Sequence, residues 1–385
     1  MATVVGSRAL TLRRAIIIAG IFEFLGAFLV GSHVTDTVRK GIIDPFFFAS
    51  HPELLAYGMF SALLSAALFQ HVATLLGLPI STTHAIVGAL FGFGLIGAGF
   101  DAVHWSKIGV ISFGWIISPL LGALISFTLF NIIRTLIFAK ENPYQAAIKV
   151  APFLVFMQFS IIVLSIIFKG LKNLHLDFPL SHALPIALGV GILGAYITWR
   201  IVKSDTITPD QKEQYVKVQN IFAHLQIYTA CYIAFAHGAN DVANAIGPVA
   251  AIFSIIETKN IIMHITVPIW ILMLGGIGIV VGLSSYGYKV IETIGRKITE
   301  ITPTRGFSAE FSTATTVLVF SKFGLPISTT HTMVGSIIGI GFARGIATLN
   351  IRIIRNIITS WFITVPSAAI ITVIVYKITT ALSSF

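Results

Sequence analysis

The sequence predicts an all-α polytopic membrane protein of roughly ten to twelve membrane segments, built from two related halves. Of its 385 residues, 56% are hydrophobic and only 10% are charged, and the mean hydropathy is +0.91. Apolar runs long enough to cross roughly 30 Å of hydrocarbon recur along the chain. A polar octapeptide occurs twice, which indicates a duplicated unit.

The membrane segments follow from hydropathy. A soluble chain of this length needs roughly a quarter of its residues charged, so lipid must replace water around much of this one. The runs lack the alternation of barrel strands. They occupy residues 15–35, 53–76, 107–138, 149–169, 183–201, 221–254, 261–284, 307–323 and 352–379, with two segments rich in Gly, Ser and Thr at 79–98 and 326–343.

The net charge of +10 does not indicate a nucleic-acid partner. The basic residues are scattered through short loops and segment ends, where they suit lipid headgroups and the positive-inside rule, and they form no basic stripe. The single cysteine, Cys231, excludes an internal disulfide and a cysteine metal cluster. We expect no cofactor.

A charged stretch near the middle divides the chain. We expect a first transmembrane repeat at 1–201, a hydrophilic linker at 202–219 and a second transmembrane repeat at 220–385. The run Gly-Leu-Pro-Ile-Ser-Thr-Thr-His stands at 77–84 and again at 324–331. Two repeats packed about a pseudo-two-fold axis leave a shared site near the bilayer midplane, which rocking motions can expose to alternate sides.

The duplicated motif places hydroxyls at two helix starts. Pro79 and Pro326 interrupt any continuous helix, and Ser81 and Ser328 are placed to cap a new one. Free N–H groups, the positive end of the helix dipole and the neighbouring hydroxyls suit a tetrahedral oxyanion. The alternative, in which the hydroxyls bond the preceding turn or join helices, is weaker for two identical copies.

A second polar cluster, Asn240, Asp241 and Asn244, lies inside a long apolar run. A carboxylate at membrane depth is a functional hypothesis by default. Together with amide oxygens it suits a small, hard cation. Gly238, Gly247 and Pro248 are expected to loosen the helix there and free backbone carbonyls. The alternative is that Asp241 pairs with a basic residue and only stabilises the fold.

These motifs resemble the signatures of the PiT family of inorganic phosphate transporters, and the resemblance extends from about residue 15 to 379. It rests on Gly-Ala-Asn-Asp-Val-Ala-Asn-Ala at 238–245 and on the duplicated hydroxyl motif. It implies inverted repeats with re-entrant helical hairpins, and sodium or protons as the driving ion. It also implies ion or substrate contacts for Asn240, Asp241 and Asn244, and phosphate contacts for Ser81, Thr82, Thr83, Ser328, Thr329 and Thr330.

The first half departs from the family pattern. Family members commonly repeat Gly-Ala-Asn-Asp there, whereas this chain reads Gly-Ser-His-Val-Thr-Asp at 31–36. Either Asp36 and Thr35 replace the missing cation ligands, or one cation site is lost. His33 adds a titratable group, which makes protons a candidate coupling ion.

Other titratable residues in apolar sequence have two interpretations each. His84 and His331 are candidates for proton coupling, and packing or hydrogen bonding is the alternative. Glu310, and less clearly Glu23, is either an ion ligand or gate, or part of an interfacial salt bridge.

We therefore expect a non-enzymatic, cation-coupled phosphate symporter of the plasma membrane that works by alternating access. Another oxyanion such as sulfate stays open, although only protonated phosphate can donate a hydrogen bond to Asp36 or Asp241. An intramembrane hydrolase is disfavoured, because the serine and histidine of one motif are too close to align as nucleophile and base. A simple channel is a third alternative. The oligomeric state stays open, with a homodimer as one candidate.

Overall fold

The computed structural model describes residues 1–31, 35, 38, 41–167, 179–202, 210–262 and 267–383. Over these ranges the chain is overwhelmingly helical, with one isolated extended bridge between Ile43 and Val103, so the all-α prediction is confirmed. The α-helices are α1 (Ala2–Gly6), α2 (Leu12–Val30), α3 (Pro52–Leu75), α4 (Thr82–Ala98), α5 (Trp105–Ile133), α6 (Pro143–Ser165), α7 (Leu180–Val202), α8 (Gln211–Thr258), α9 (Ile269–Ser285), α10 (Tyr288–Glu292), α11 (Pro303–Lys322), α12 (Thr329–Arg344) and α13 (Ile351–Ser383).

Six of the described helices are long and apolar enough to cross a membrane alone. They are α3, α5, α6, α7, α8 and α13. The pair α9 and α10 qualifies as one span bent by 64°. By contrast, α4 and α12 have only 17 and 16 residues, and α2 carries Arg13, Arg14 and Glu23. The predicted ten to twelve segments therefore include α2, α4 and α12. These three do not qualify as spans by themselves and pack against longer helices.

Each copy of the octapeptide folds as a helix end followed by a helix start. Gly77 and Gly324 take the left-handed conformation, with φ of +67° and +68°, which glycine adopts without strain. The next residue closes the helix end, since Leu78 N donates to the carbonyl oxygen of Ala73 at 2.9 Å. The proline follows, and a new helix begins at the first threonine of each copy. The predicted breaks are thus confirmed, and they produce the hairpins α3–α4 and α11–α12.

These hairpins pack across the two halves of the chain. Helix α4 lies against α13, and α12 lies against α5; likewise α3 contacts α13, and α11 contacts α5. The close contacts are made by glycines: a Cβ at Gly88 or Gly92 would overlap the backbone of α13, and one at Gly335 or Gly339 would overlap the backbone of α5. Such reciprocal exchange is the arrangement that two-fold symmetry between the halves produces.

Helix α8 crosses the centre of the molecule as one helix of 48 residues. The helix is not interrupted at Gly238 or Pro248. Because Pro248 has no N–H to donate to the preceding turn, the expected freeing of a backbone carbonyl stays a prediction. At Gly238 the small residue serves close approach: a Cβ would overlap the carbonyl oxygen of Glu23 on α2, and a Cβ at Gly26 would overlap that of Phe235. Packing against α2 offsets the weak local helix preference. Residues 203–209 of the expected linker lie outside the described residues, and from residue 211 the chain forms the first turns of α8.

Candidate functional site

The two copies of the hydroxyl motif meet at one carboxylate oxygen. Thr82 Oγ1 donates to Asp241 Oδ2 at 2.9 Å, and Thr329 Oγ1 donates to the same oxygen at 3.3 Å. The other oxygen, Oδ1, accepts from Asn240 Nδ2 at 2.7 Å. The prediction that the motifs converge is therefore confirmed, with Asp241 of α8 between the first residues of α4 and α12.

The serines that precede these threonines cap the two helices. Ser81 Oγ accepts from the backbone N–H of His84 at 3.2 Å, and Ser328 Oγ accepts from that of His331 at 3.1 Å. Both caps agree with the prediction. A hydroxyl that accepts in this way still has its own O–H to donate. Both helices direct the positive end of their dipole, and first-turn N–H groups without an intrahelical partner, towards the site.

The second threonines of the two triplets are used differently. Thr83 Oγ1 donates to the carbonyl oxygen of Ile327 at 3.1 Å and accepts from Asn244 Nδ2 at 3.2 Å, so it joins the two motifs directly. Thr330 instead lines a cavity. In this conformation Thr83 is occupied by protein contacts, whereas Thr330 faces open space.

The two asparagines have separate roles. Asn240 ties α8 to the α11–α12 hairpin, because its amide donates to Ile327 O at 3.0 Å and accepts from Ser321 Oγ at 3.1 Å. Asn244 points its amide nitrogen to Thr83, and its Oδ1 is a buried acceptor that has no hydrogen-bond partner among the described residues. An unsatisfied buried oxygen beside a carboxylate is suited to a hard cation.

Two cavities approach Asp241 from opposite directions along α8. The first, about 470 Å³, is lined by Thr82, Asp241 and Asn244 and continues along α8 to Val249. The second, about 240 Å³, is lined by Thr329 and Thr330 and extends back along α8 to Ile233. His237 lines both cavities. Each hydroxyl motif therefore opens into its own cavity, and the residues around Asp241 separate the two.

His237 was missed by the sequence analysis, although it lies beside the recognised motif. Its Nε2 is 3.1 Å from Asp241 Oδ2, and its Nδ1 is 3.1 Å from Glu23 Oε1. The spacing of four residues to Asp241, which puts both side chains on one helix face, was a signal that could have identified it. The partner Glu23 comes from α2, which local sequence does not indicate.

The remaining predicted site residues lie apart from Asp241. His84 and His331 are buried, with ring centroids 4.2 Å apart. His84 lies against Trp115 in a tilted arrangement at 3.7 Å, and His331 stacks on Trp361 at 3.6 Å. None of their four ring nitrogens has a hydrogen-bond partner among the described residues. The pair packs α4 against α12 one turn beyond the hydroxyls.

Glu310 belongs to a different buried cluster. Its carboxylate accepts from Thr3 of α1, from Thr229 Oγ1 at 2.6 Å and from Gln226 Nε2 at 3.5 Å. These donors are all neutral side chains. The roles considered from the sequence, an ion ligand or gate or part of a salt bridge, stay predictions.

The first-half candidates are only partly described. Thr35 Oγ1 donates to the carbonyl oxygen of Gly31 at 3.0 Å, a bond within its own turn. Asp36 and His33 lie outside the described residues. Their roles as replacement cation ligand and as titratable group stay predictions.

Comparison with known proteins gives a consistent result. Residues 1–372 match the model of the phosphate transporter family. A protein of Pyrococcus abyssi named "Putative phosphate permease" is 45% identical over 378 residues, which cover 98% of this chain and 92% of that protein. "Inorganic phosphate transporter 2-1, chloroplastic" of Arabidopsis thaliana is 42% identical over 416 residues, covering 100% of this chain and 69% of the relative. A solved structure titled "The sodium-dependent phosphate transporter" superposes with a TM-score of 0.92 at 41% identity, covering 99% of this chain and 93% of the other.

Proposed function

The chain belongs to the phosphate transporter family, and we propose that it carries phosphate by sodium-coupled symport, with alternating access to a site at Asp241. It is a multi-pass membrane protein that transports phosphate and is not an enzyme. The observation that carries the proposal is the convergence of Thr82 and Thr329 on one oxygen of Asp241 between two cavities.

The donors at this junction suit a tetrahedral anion. In the structure the hydroxyls of Thr82 and Thr329 donate hydrogen bonds to Asp241. A bound phosphate would accept hydrogen bonds from these hydroxyls and from the first-turn N–H groups instead. A fully ionised anion would be repelled by the carboxylate. A protonated phosphate oxygen can instead donate to Asp241, which sulfate cannot do. Asp241 is thus proposed to select phosphate over sulfate.

Sodium is the proposed coupling ion. The solved structure that superposes on this chain is titled as sodium-dependent. Asp241 and the unsatisfied Oδ1 of Asn244 provide hard oxygen ligands beside the hydroxyls. A cation there would also offset the negative charge that phosphate brings next to Asp241. Binding of the anion and of the cation would therefore favour each other.

The two cavities support alternating access as the proposed mechanism. Thr82 is reached from the larger cavity, and Thr329 and Thr330 from the smaller one. Phosphate would enter between the hydroxyls from one side, and movement of the hairpins would then open the other side. We place this activity in the plasma membrane, where a sodium gradient is available.

Uptake by the purified protein in liposomes tests this proposal. Labelled phosphate is supplied outside under an inward sodium gradient, an inward proton gradient, or neither, and excess sulfate is added in a parallel series. We expect uphill accumulation with sodium alone and little competition by sulfate. Accumulation driven only by the proton gradient would show that protons, and not sodium, are the coupling ion. Purely downhill flux would indicate a channel.

A further inference from the structure

Glu23 is a buried carboxylate on α2, outside the two hydroxyl motifs. Its exposed fraction is 6%. Oε1 lies 3.1 Å from His237 Nδ1, and Oε2 has no hydrogen-bond partner among the described residues. Burial of an ionised carboxylate is costly unless a partner compensates it. The polar group beside it is His237, and the 3.1 Å contact between the two does not have the angles of a hydrogen bond.

The same imidazole reaches the transport site. His237 Nε2 lies 3.1 Å from Asp241 Oδ2, the oxygen that also accepts from Thr82 and Thr329. The ring is rigid, so the partner of one nitrogen orients the other, as it does for histidines that bind metals. A line of contacts thus runs from α2 through α8 to the first residues of α4 and α12.

The register of α2 against α8 is fixed by backbone contact. Glycines at 26 and 238 allow the two helices to touch, and the carbonyl oxygen of Glu23 itself lies against Gly238. Glu23 therefore has little freedom to move relative to His237. Its side chain also lines the smaller cavity, beside Thr329 and Thr330.

We propose that Glu23 is a positioning residue for phosphate transport: it holds His237, which in turn orients the Asp241 carboxylate towards Thr82 and Thr329. This inference rests on the proposed function. Without the charge of the Glu23 carboxylate, the contact that holds the imidazole weakens and the ring turns more often. Asp241 then loses a fixed neighbour on the oxygen that accepts from both hydroxyls. The hydroxyls are then less often in the arrangement that accepts phosphate, so the apparent KM rises.

Glu23→Gln tests the proposal with the full chain in liposomes. The matched control is Glu53→Gln, which changes a second glutamate–histidine pair: Glu53 Oε1 lies 3.0 Å from His51 Nδ1, but both side chains are exposed. Under an inward sodium gradient we expect E23Q to raise the apparent KM for phosphate about tenfold, a factor that corresponds to roughly 1.4 kcal/mol. E53Q should leave it unchanged.

A second pair of variants separates positioning from folding. Misfolding lowers the maximal rate without changing the apparent KM, and detergent size-exclusion profiles report it directly. E23D keeps the charge but withdraws the carboxylate from His237, so it should also raise the apparent KM. His237→Gln combined with E23Q should raise the apparent KM no further than the larger single effect, because both act through one line of contacts.

The outcomes are distinguishable. A wild-type KM in E23Q or E23D, or effects of E23Q and H237Q that multiply, overturns the positioning role while leaving phosphate transport intact. Absence of uptake by the wild-type protein and by E53Q overturns the proposed function, and the positioning role with it.

Discussion

The Asp241→Asn substitution gives the sharpest test of the site, because it removes charge with almost no change in volume. The carboxylate accepts hydrogen bonds from Thr82, Thr329 and Asn240, and His237 lies 3.1 Å from it. An amide has only one oxygen. Its NH₂ group must face either the Asn240 amide or the side that carries His237, so at least one donor meets another donor.

The expected loss follows from these contacts. Hydrogen bonds to a charged group contribute roughly 1.5–3 kcal/mol each. Losing one of them together with the charge that attracts the cation should cost about 3 kcal/mol, or roughly a hundredfold in the rate of uptake. The folded protein should not be destabilised comparably, since removal of a buried charge also removes its desolvation penalty.

The assay is initial uptake of labelled phosphate into liposomes under an inward sodium gradient. Thermal unfolding in detergent is measured on the same preparation. Asp101→Asn, at an exposed carboxylate outside the site, is the matched control and should transport normally. Uptake by D241N within about threefold of wild type, at equal insertion, would refute the assignment of Asp241 to the transport site.

Three further outcomes are expected. Thr82→Val and Thr329→Val should each lower phosphate uptake about tenfold or more, and the double variant should lose less than the product of the single effects, because both hydroxyls act on one oxygen; a double-mutant cycle of uptake rates checks this. Gly238→Ala should lower the free energy of unfolding by about 1–3 kcal/mol, since the new methyl group meets a carbonyl oxygen of α2, and thermal unfolding in detergent measures the loss. Thr3→Val should destabilise the protein by about 1–3 kcal/mol by removing a hydrogen-bond donor from the buried Glu310; an unchanged unfolding temperature would show that α1 contributes nothing to holding that carboxylate.

The hairpins were predictable because the chemistry that forms them is local. Gly77 ends one helix, Pro79 prevents its continuation and Ser81 caps the next, and all three act within a few residues. The second copy repeats the same steps. Duplication also implied that the copies meet around a symmetry axis, and Thr82 and Thr329 do so.

The continuity of α8 could not be predicted in the same way. Gly238 and Pro248 weaken a helix when considered alone, but neighbouring helices decide the outcome. The backbone of α2 lies against Gly238, and this contact requires a residue without a side chain. The sequence showed the glycine but not the helix that approaches it.

The placement of buried carboxylates was predictable in part. Asp241 lies in a recognisable motif and stands at the junction of both hydroxyl motifs. Glu310 is more deeply buried than Asp241, yet it bonds to Thr3 and Thr229 and not to the residues around Asp241. Apolar sequence around a carboxylate therefore indicated burial correctly, whereas the partner depended on contacts between distant segments of the chain.

The exchange of hairpins between the halves has a consequence for the protein's origin. Since α4 finds its packing partner in α13, and α12 finds its own in α5, neither half could satisfy its glycine-lined surfaces in isolation. An ancestor of half this length would have had to fold as a domain-swapped dimer, in which each chain packs its hairpin against the other. Joining two such chains into one polypeptide would let the halves diverge independently, as the residues at 31–36 have diverged from the motif around Asp241.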